Sequence, residues 1–296
     1  MGLPAFLLIG AMKAGTTTLY HDLRRVPGLW LPPEKEPGDL LDPAVETPEG
    51  RARYAAKFAA APAGCRPGEA TTAYAKRPDH EGVAHRAVRV LGPRLRVIYL
   101  VRDPVDRIAS QVRHAASLGD ETRPPDIAVR ADPSYLAYSR YGWQIEPWLA
   151  RLGPAQVLVL SFEVYAAHRQ AGLDRVCAFL GVDAVPAGAL PANASACRRV
   201  TRPGSVLRRV ARSRSYLYRV KPRLPPRLHA VLKAVALPRA PAAAARAGLA
   251  PATAAALRAA LADDALAVRA GERAGALRRG MSVPAEIALP DGIAPP

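Results

Sequence analysis

The sequence predicts an α/β fold, a central parallel sheet with helices on both faces, and three observations carry that expectation. Short aliphatic and β-branched runs at Phe6 to Ile9, Arg96 to Val101 and Gln156 to Ser161 have the composition of strands buried on both sides. Segments with apolar residues at helical spacing separate them, several closed by glycine or proline. Strand and helix signals alternate across residues 6 to 180, which is the pattern of a parallel sheet.

In order, Phe6 to Ile9 is the first strand, and Gly10 and Gly15 punctuate the turn after it. The helix of Thr17 to Val26 follows, with Leu19, Tyr20, Leu23 and Val26 on one face and Pro27-Gly28 at its end. Leu29 to Leu31 reads as a short second strand that delivers Pro32-Pro33-Glu34-Lys35-Glu36-Pro37-Gly38 to a loop. Thr47 to Ala61 reads as a helix, Gly64 to Gly68 as a turn, and Glu69 to Tyr74 as a strand and its exit. His80 to Leu91 is helical, Arg96 to Val101 is a strand ending at Arg102-Asp103-Pro104, and Val105 to Leu118 is helical. Gly119 to Pro133 reads as a charged loop, Ser134 to Leu152 as one long helix, Gln156 to Ser161 as a strand and Gly172 to Leu180 as a helix. Pro251 to Leu277 is expected to form alanine-rich helices, so the fold class is completed by a basic, helical C-terminal extension. The expected division is an α/β core over 1–200 and the extension over 201–296.

The first turn is the chemically informative one. A helix start carries backbone N–H groups without intrahelical partners and the positive end of the dipole, so Ala14, Gly15, Thr16, Thr17 and Thr18 form a P-loop-like cradle for a phosphate group. Lys13 adds a point charge. In the nucleoside-triphosphatase loop the lysine follows the second glycine; here Thr16 does, and the lysine lies three positions upstream. The second anion site expected from the residues joins Arg102, at a strand end, to Ser110, eight residues on in the following helix. The alternative is that Arg102 pairs with Asp103 or Asp106 and Ser110 faces solvent. Glu36 and Lys35 lie on a loop where a parallel sheet places its chemistry.

The formal net charge is +17, yet Arg198 to Arg239 alone holds thirteen Lys or Arg and no acid, so most of the excess is local. The three cysteines, Cys65, Cys177 and Cys197, form no C-x-x-C pair, which suggests neither a disulfide framework nor a zinc site. No apolar run is long enough to span a bilayer, and a cytoplasmic location is expected.

Lys13-Ala14-Gly15-Thr16-Thr17 and Val101-Arg102-Asp103-Pro104 with Ser110 resemble, in order and spacing, the two nucleotide motifs of sulfotransferases that use 3′-phosphoadenosine 5′-phosphosulfate (PAPS), particularly the heparan sulfate branch and its bacterial relatives. The resemblance covers about residues 5 to 200. It implies that the Lys13 loop binds the 5′-phosphosulfate and that Arg102 and Ser110 bind the 3′-phosphate. Lys35-Glu36 matches a segment that supplies a glutamate base, although Gly38 to Leu41 stands where histidine and aromatic residues are usual. Arg198 and Arg199 occupy the place of a basic loop that closes over the nucleotide. Lys13 and Glu36 are thus the expected catalytic residues, PAPS the co-substrate with no metal, and a small molecule, carbohydrate or lipid the acceptor. The remainder of the basic segment is expected to face an anionic acceptor or a membrane surface, with no nucleic acid beyond the nucleotide. Two other readings of the residues are a P-loop nucleotide or small-molecule kinase, and a basic nucleic-acid or membrane-surface binding protein. His21 and Lys35 are alternatives to Glu36 as the proton-handling group.

Overall fold

A computed structural model describes residues 2–188 and 248–264. Its centre is a five-stranded sheet, all parallel, in the order β2-β3-β1-β4-β5. The strands are β1 (Phe6–Gly10), β2 (Leu29–Trp30), β3 (Arg66–Ala70), β4 (Arg96–Val101) and β5 (Val157–Ser161). β1 is wholly buried because it lies in the middle of the sheet and is covered on both faces. One face packs Leu7, Ile9, Val97 and Tyr99 against α2 (Pro48–Ala56), α3 (Val83–Leu91) and α7 (Tyr141–Leu152). The other packs Phe6, Leu8, Ile98 and Leu100 against α1 (Thr16–Leu23) and α9 (Arg169–Leu180). The α/β class read from the strand runs is therefore the observed one.

Beyond the sheet edge, α4 (Pro104–Ser117) presents Val105, Ile108 and Val112 to α5 (Pro125–Ala131) and α6 (Ser134–Ala137). α8 is Phe162–Ala167 and α10 is Pro251–Ala260, which adds Leu257 to the α4 cluster. Asp264, just beyond α10, accepts hydrogen bonds from the backbone N–H of Gly142 at 2.9 Å and Trp143 at 3.1 Å. It caps the first turn of α7 from more than a hundred residues away, which supplies orphan N–H groups with an acceptor.

Four local expectations are corrected. β3 begins at Arg66, earlier than Glu69, and Thr72–Ala75 is a short 3-10 turn beyond its end. Arg66-Pro67-Gly68 lacks strand propensity, but tertiary contact decides: a Cβ on Gly68 would lie 2.0 Å from Cζ of Phe6, so only glycine lets β3 lie against β1 there. The segment read as a loop over 119–133 contains α5. The long helix expected over 134–152 is two helices, α6 and α7, separated by Tyr138 to Arg140. The wholly buried Arg107 fixes that break, donating to Ser139 Oγ at 2.6 Å and to the Tyr135 carbonyl at 2.7 Å, while Gln144 Nε2 donates to the Ala137 carbonyl. Finally, α9 starts at Arg169 and is preceded by α8, which was not anticipated. The segment Arg198 to Arg239 and the residues after 264 lie outside the described ones.

Candidate active site

All five strands end on one edge of the sheet, and Lys13 to Gly15, Glu36 and Arg102 stand on the turns and loops that leave it. The order 2-3-1-4-5 reverses direction at β1, which makes the crevice beside β1 and β4 the expected ligand position in an open parallel sheet.

β1 leads into Ala11 to Gly15. Ala14 N–H donates to the Ala11 carbonyl at 3.1 Å and Thr18 N–H to the Gly15 carbonyl at 2.9 Å, whereas the amides of Gly15, Thr16 and Thr17 make no hydrogen bond to backbone among the described residues. α1 also has no side-chain cap. Three consecutive donors at the positive end of α1 are thus left without a backbone acceptor, an arrangement that suits a phosphate. Gly15 adopts φ +83, and a Cβ there would lie 2.4 Å from Cδ2 of Phe162, so the residue is glycine for both conformation and space. Lys13 sits at φ +69.

The Pro32 to Gly38 loop is fastened against this cradle. The Tyr20 hydroxyl on α1 donates to the Pro32 carbonyl at 2.5 Å, and Glu36 N–H donates to the Ala70 carbonyl at the end of β3 at 2.9 Å. Lys35 then reaches across: its ammonium donates to Thr16 Oγ1 at 3.2 Å, Thr17 Oγ1 at 3.3 Å and Glu36 Oε1 at 3.3 Å. The Glu36 carboxylate is held from its other side by the N–H of Thr72 at 3.1 Å and by the Thr72 hydroxyl. With 40% of its side chain exposed, it is oriented yet open to a ligand. Glu36, like Lys13, has positive φ, +65, and these are the two non-glycine residues with that conformation among the described ones. Such backbone costs about 1–2 kcal/mol per residue, and its concentration on two residues flanking one crevice points to function.

Below Glu36, Glu69 is fully buried and accepts from Thr71 Oγ1 at 2.6 Å, Tyr74 OH at 2.5 Å and the Tyr54 hydroxyl. Burial pushes its carboxyl above the usual glutamate range, and the three hydroxyl donors oppose that shift. This cluster secures the turn from which Thr72 grips Glu36.

Arg102 ends β4. Its Nε is buried without a hydrogen-bond partner, and its nearest acid, Asp106 Oδ2, lies at 3.7 Å on an exposed side chain. The guanidinium lies 5.2 Å from the centroid of the Phe162 ring. Ser110, two turns into α4, is partly buried. The pairing with Asp106 weighed as the alternative is thus present, but it is long and exposed and leaves the buried Nε without an acceptor, so Arg102 keeps donor capacity for an anion. Asp103 instead caps α4 by accepting from Asp106 N–H at 2.9 Å.

Phe162, to which the sequence assigned no role in the site, links the two halves of the crevice by lying against Gly15 on one side and under Arg102 on the other. An aromatic immediately after a buried strand was the available signal. Thr72 was also missed as a partner of Glu36, because Thr71-Thr72 was read as strand exit. His21 is exposed and packs edge-on to Tyr20 at 5.2 Å, and it makes no hydrogen bond or ion pair to Glu36. Arg198 and Arg199 are outside the described residues. Among the described residues there is no cluster of three or more potential metal ligands and no helix long and apolar enough to cross a membrane.

Comparison with known proteins agrees with this geometry. The model of the Sulfotransferase family matches residues 40–186, which include Arg102, Ser110 and Phe162 but begin after Glu36. A crystal structure of a sulfotransferase from Alicyclobacillus acidocaldarius superposes with a TM-score of 0.55 at 27% identity, over 62% of this chain and 83% of that one. The sulfotransferase domain from the curacin biosynthetic pathway (17% identity, TM-score 0.45, 63% and 77% of the two chains) is more distant. So is the mouse sulfotransferase SULT7A1 complexed with PAP (19% identity, TM-score 0.40, 62% and 59%). No curated protein matches the chain by sequence. Over residues 40–186 the chain is similar to the sulfotransferase family, and the superposition on the Alicyclobacillus acidocaldarius sulfotransferase shows the same fold.

Proposed function

We propose that this enzyme transfers the sulfuryl group of PAPS to a hydroxyl or amine of a small-molecule, carbohydrate or lipid acceptor. The observation that carries the proposal is the pairing of Lys13 and Glu36. Both are held at strained positive φ at the sheet edge, and Lys35 joins the Glu36 carboxylate to the Thr16 and Thr17 hydroxyls of the cradle. A proton acceptor and an anion cradle are thereby within one side chain of each other.

In this scheme the amides of Gly15, Thr16 and Thr17, with Lys13, receive the 5′-phosphosulfate, and Arg102 with Ser110 receives the 3′-phosphate. The acceptor oxygen or nitrogen attacks sulfur in line with the bond to the 5′-phosphate oxygen. The new bond to sulfur forms as the S–O bond breaks, adenosine 3′,5′-bisphosphate departs, and the acceptor's proton goes to Glu36. Lys13 and the cradle neutralise charge accumulating on the departing phosphate, where preorganised donors contribute most. Thr72 aims Glu36, and Lys35 moves no proton in this scheme but holds the Glu36 carboxylate close to the cradle.

The test is Glu36→Gln, which keeps size and removes basicity. With saturating PAPS and an extract as acceptor source, formation of products heavier by one sulfuryl group should fall by roughly 10² to 10⁴, while adenosine 3′,5′-bisphosphate affinity stays near wild type. Wild-type turnover in the Gln variant would remove Glu36 from the reaction.

A further inference from the structure

Lys76 is a cation in this crevice that the scheme above does not use. It follows the Thr72–Ala75 turn whose Thr72 grips Glu36, and its ammonium lies 5.6 Å from the centroid of the Tyr138 ring. Among the described residues the ammonium makes no hydrogen bond and no ion pair within 4 Å. Its acidic neighbours are otherwise engaged: Glu36 is held by Lys35 and Thr72, and Asp79 accepts from the Tyr138 hydroxyl. Burial lowers the Lys76 pKa, Glu36 and Asp79 oppose that shift, and the nearby Arg107 reinforces it. Arg107 has only neutral hydrogen-bond partners, Ser139, Gln111 and the Tyr135 carbonyl, so this corner holds two cations with no dedicated carboxylate.

The contrast with the next residue is informative. Arg77 lines a cavity of about 440 Å³ with Tyr74, His80, Gln144 and Trp148, but pairs with Glu81 at 3.1 Å and Glu146 at 3.4 Å. Its charge is answered by two close ion pairs, whereas Glu36 and Asp79 act on Lys76 only at longer range and are themselves held by other groups. A partly desolvated ammonium facing one aromatic ring is stabilised by an incoming anion more than a solvated lysine would be.

We propose that Lys76 determines acceptor specificity by receiving an oxyanion, such as a carboxylate, carried by the acceptor next to the hydroxyl or amine that Glu36 deprotonates. This rests on the sulfuryl-transfer reading, since it assigns the acceptor to the Glu36 side of the crevice. Lys35 and Lys13 serve the cradle, whereas Lys76 approaches Glu36 from the exit of β3. An acceptor already bearing an acid therefore binds with its acid at Lys76 and its nucleophile at Glu36.

Two matched probe pairs test this: methyl glucoside with methyl glucuronide, and 4-hydroxyphenethyl alcohol with 4-hydroxyphenylacetate. Each is titrated calorimetrically into the full chain saturated with adenosine 3′,5′-bisphosphate, and sulfuryl transfer from PAPS is measured in parallel. In at least one pair the acid should bind about tenfold or more tightly than its neutral partner, the size expected for a charge-assisted contact. The preference should fall to about onefold in Lys76→Gln and return in Lys76→Arg, with adenosine 3′,5′-bisphosphate affinity unchanged in both variants. Equal binding within both pairs, binding of neither acid, or a preference that survives Lys76→Gln would overturn the proposal. Weaker nucleotide binding in Lys76→Gln would overturn it too, by placing the lysine at the nucleotide. Failure of the wild type to bind adenosine 3′,5′-bisphosphate would instead strike the sulfuryl-transfer reading.

Discussion

Gly15→Ala concentrates the architecture of the site in one methyl group. The new Cβ would lie 2.4 Å from Cδ2 and 2.5 Å from Cε2 of Phe162, inside any ordinary carbon–carbon contact, and the backbone would hold a non-glycine residue at φ +83. The conformational part costs about 1–2 kcal/mol. Forcing a packed aromatic aside costs about 1–3 kcal/mol more. Phe162 cannot move without disturbing Arg102, whose guanidinium lies 5.2 Å from the ring centroid, so nucleotide affinity should fall together with stability. The two parts separate in a double-mutant cycle with Phe162→Ala. Removing the ring eliminates the clash but leaves the left-handed backbone, so the substitutions should couple by about 1–3 kcal/mol. Denaturant unfolding of the four proteins measures this, with adenosine 3′,5′-bisphosphate titrations alongside. Additivity to within about 0.5 kcal/mol would refute the claim that Phe162 packs on the cradle.

Two further predictions follow from strain and burial. Lys13→Gly relieves positive φ, so it should lie within about 1 kcal/mol of wild-type stability or above it, while turnover falls by on the order of 10² to 10³; unfolding curves and rates check both. Burial raises the Glu69 pKa, so the folded state binds its proton more tightly than the unfolded state does. Stability from this group is then fully present below the ordinary glutamate range and declines as pH rises towards the folded value, by at most about 1.4 kcal/mol per pH unit. Unfolding free energies across that window should show the decline in wild type and not in Glu69→Gln, and parallel curves would refute it.

The sequence made the positions of the cradle and of Arg102 in the fold legible because that information is local. Gly10, Lys13 and Gly15 stand within a strand-turn-helix unit, and Arg102 follows the most strand-like run in the chain, so spacing placed them in the fold, while their roles came from the family resemblance. Glu36 was legible as a loop residue, but its orientation was not, because Thr72 reaches it from a different strand. The settings of Phe162 and Lys76 arise only through packing: one fills the space that Gly15 leaves, and the other faces the Tyr138 ring without a close acid. The misplaced start of β3 has the same origin, since Arg66-Pro67-Gly68 is a strand by virtue of the Phe6 ring against Gly68. The break between α6 and α7 depends on Arg107, a buried cation that no periodicity announces. The role of the basic run from Arg198 stays an expectation from sequence.

The central claim is that the edge beside β1 and β4 binds a nucleotide through two separate phosphates. Calorimetric titration of adenosine 3′,5′-bisphosphate and adenosine 5′-monophosphate into wild type and Arg102→Ala tests it most directly. The account predicts that the bisphosphate binds wild type more tightly, and that Arg102→Ala removes about 1.5–3 kcal/mol from the bisphosphate and little from the monophosphate. Equal affinities in wild type, or equal losses for both nucleotides in the variant, would contradict it.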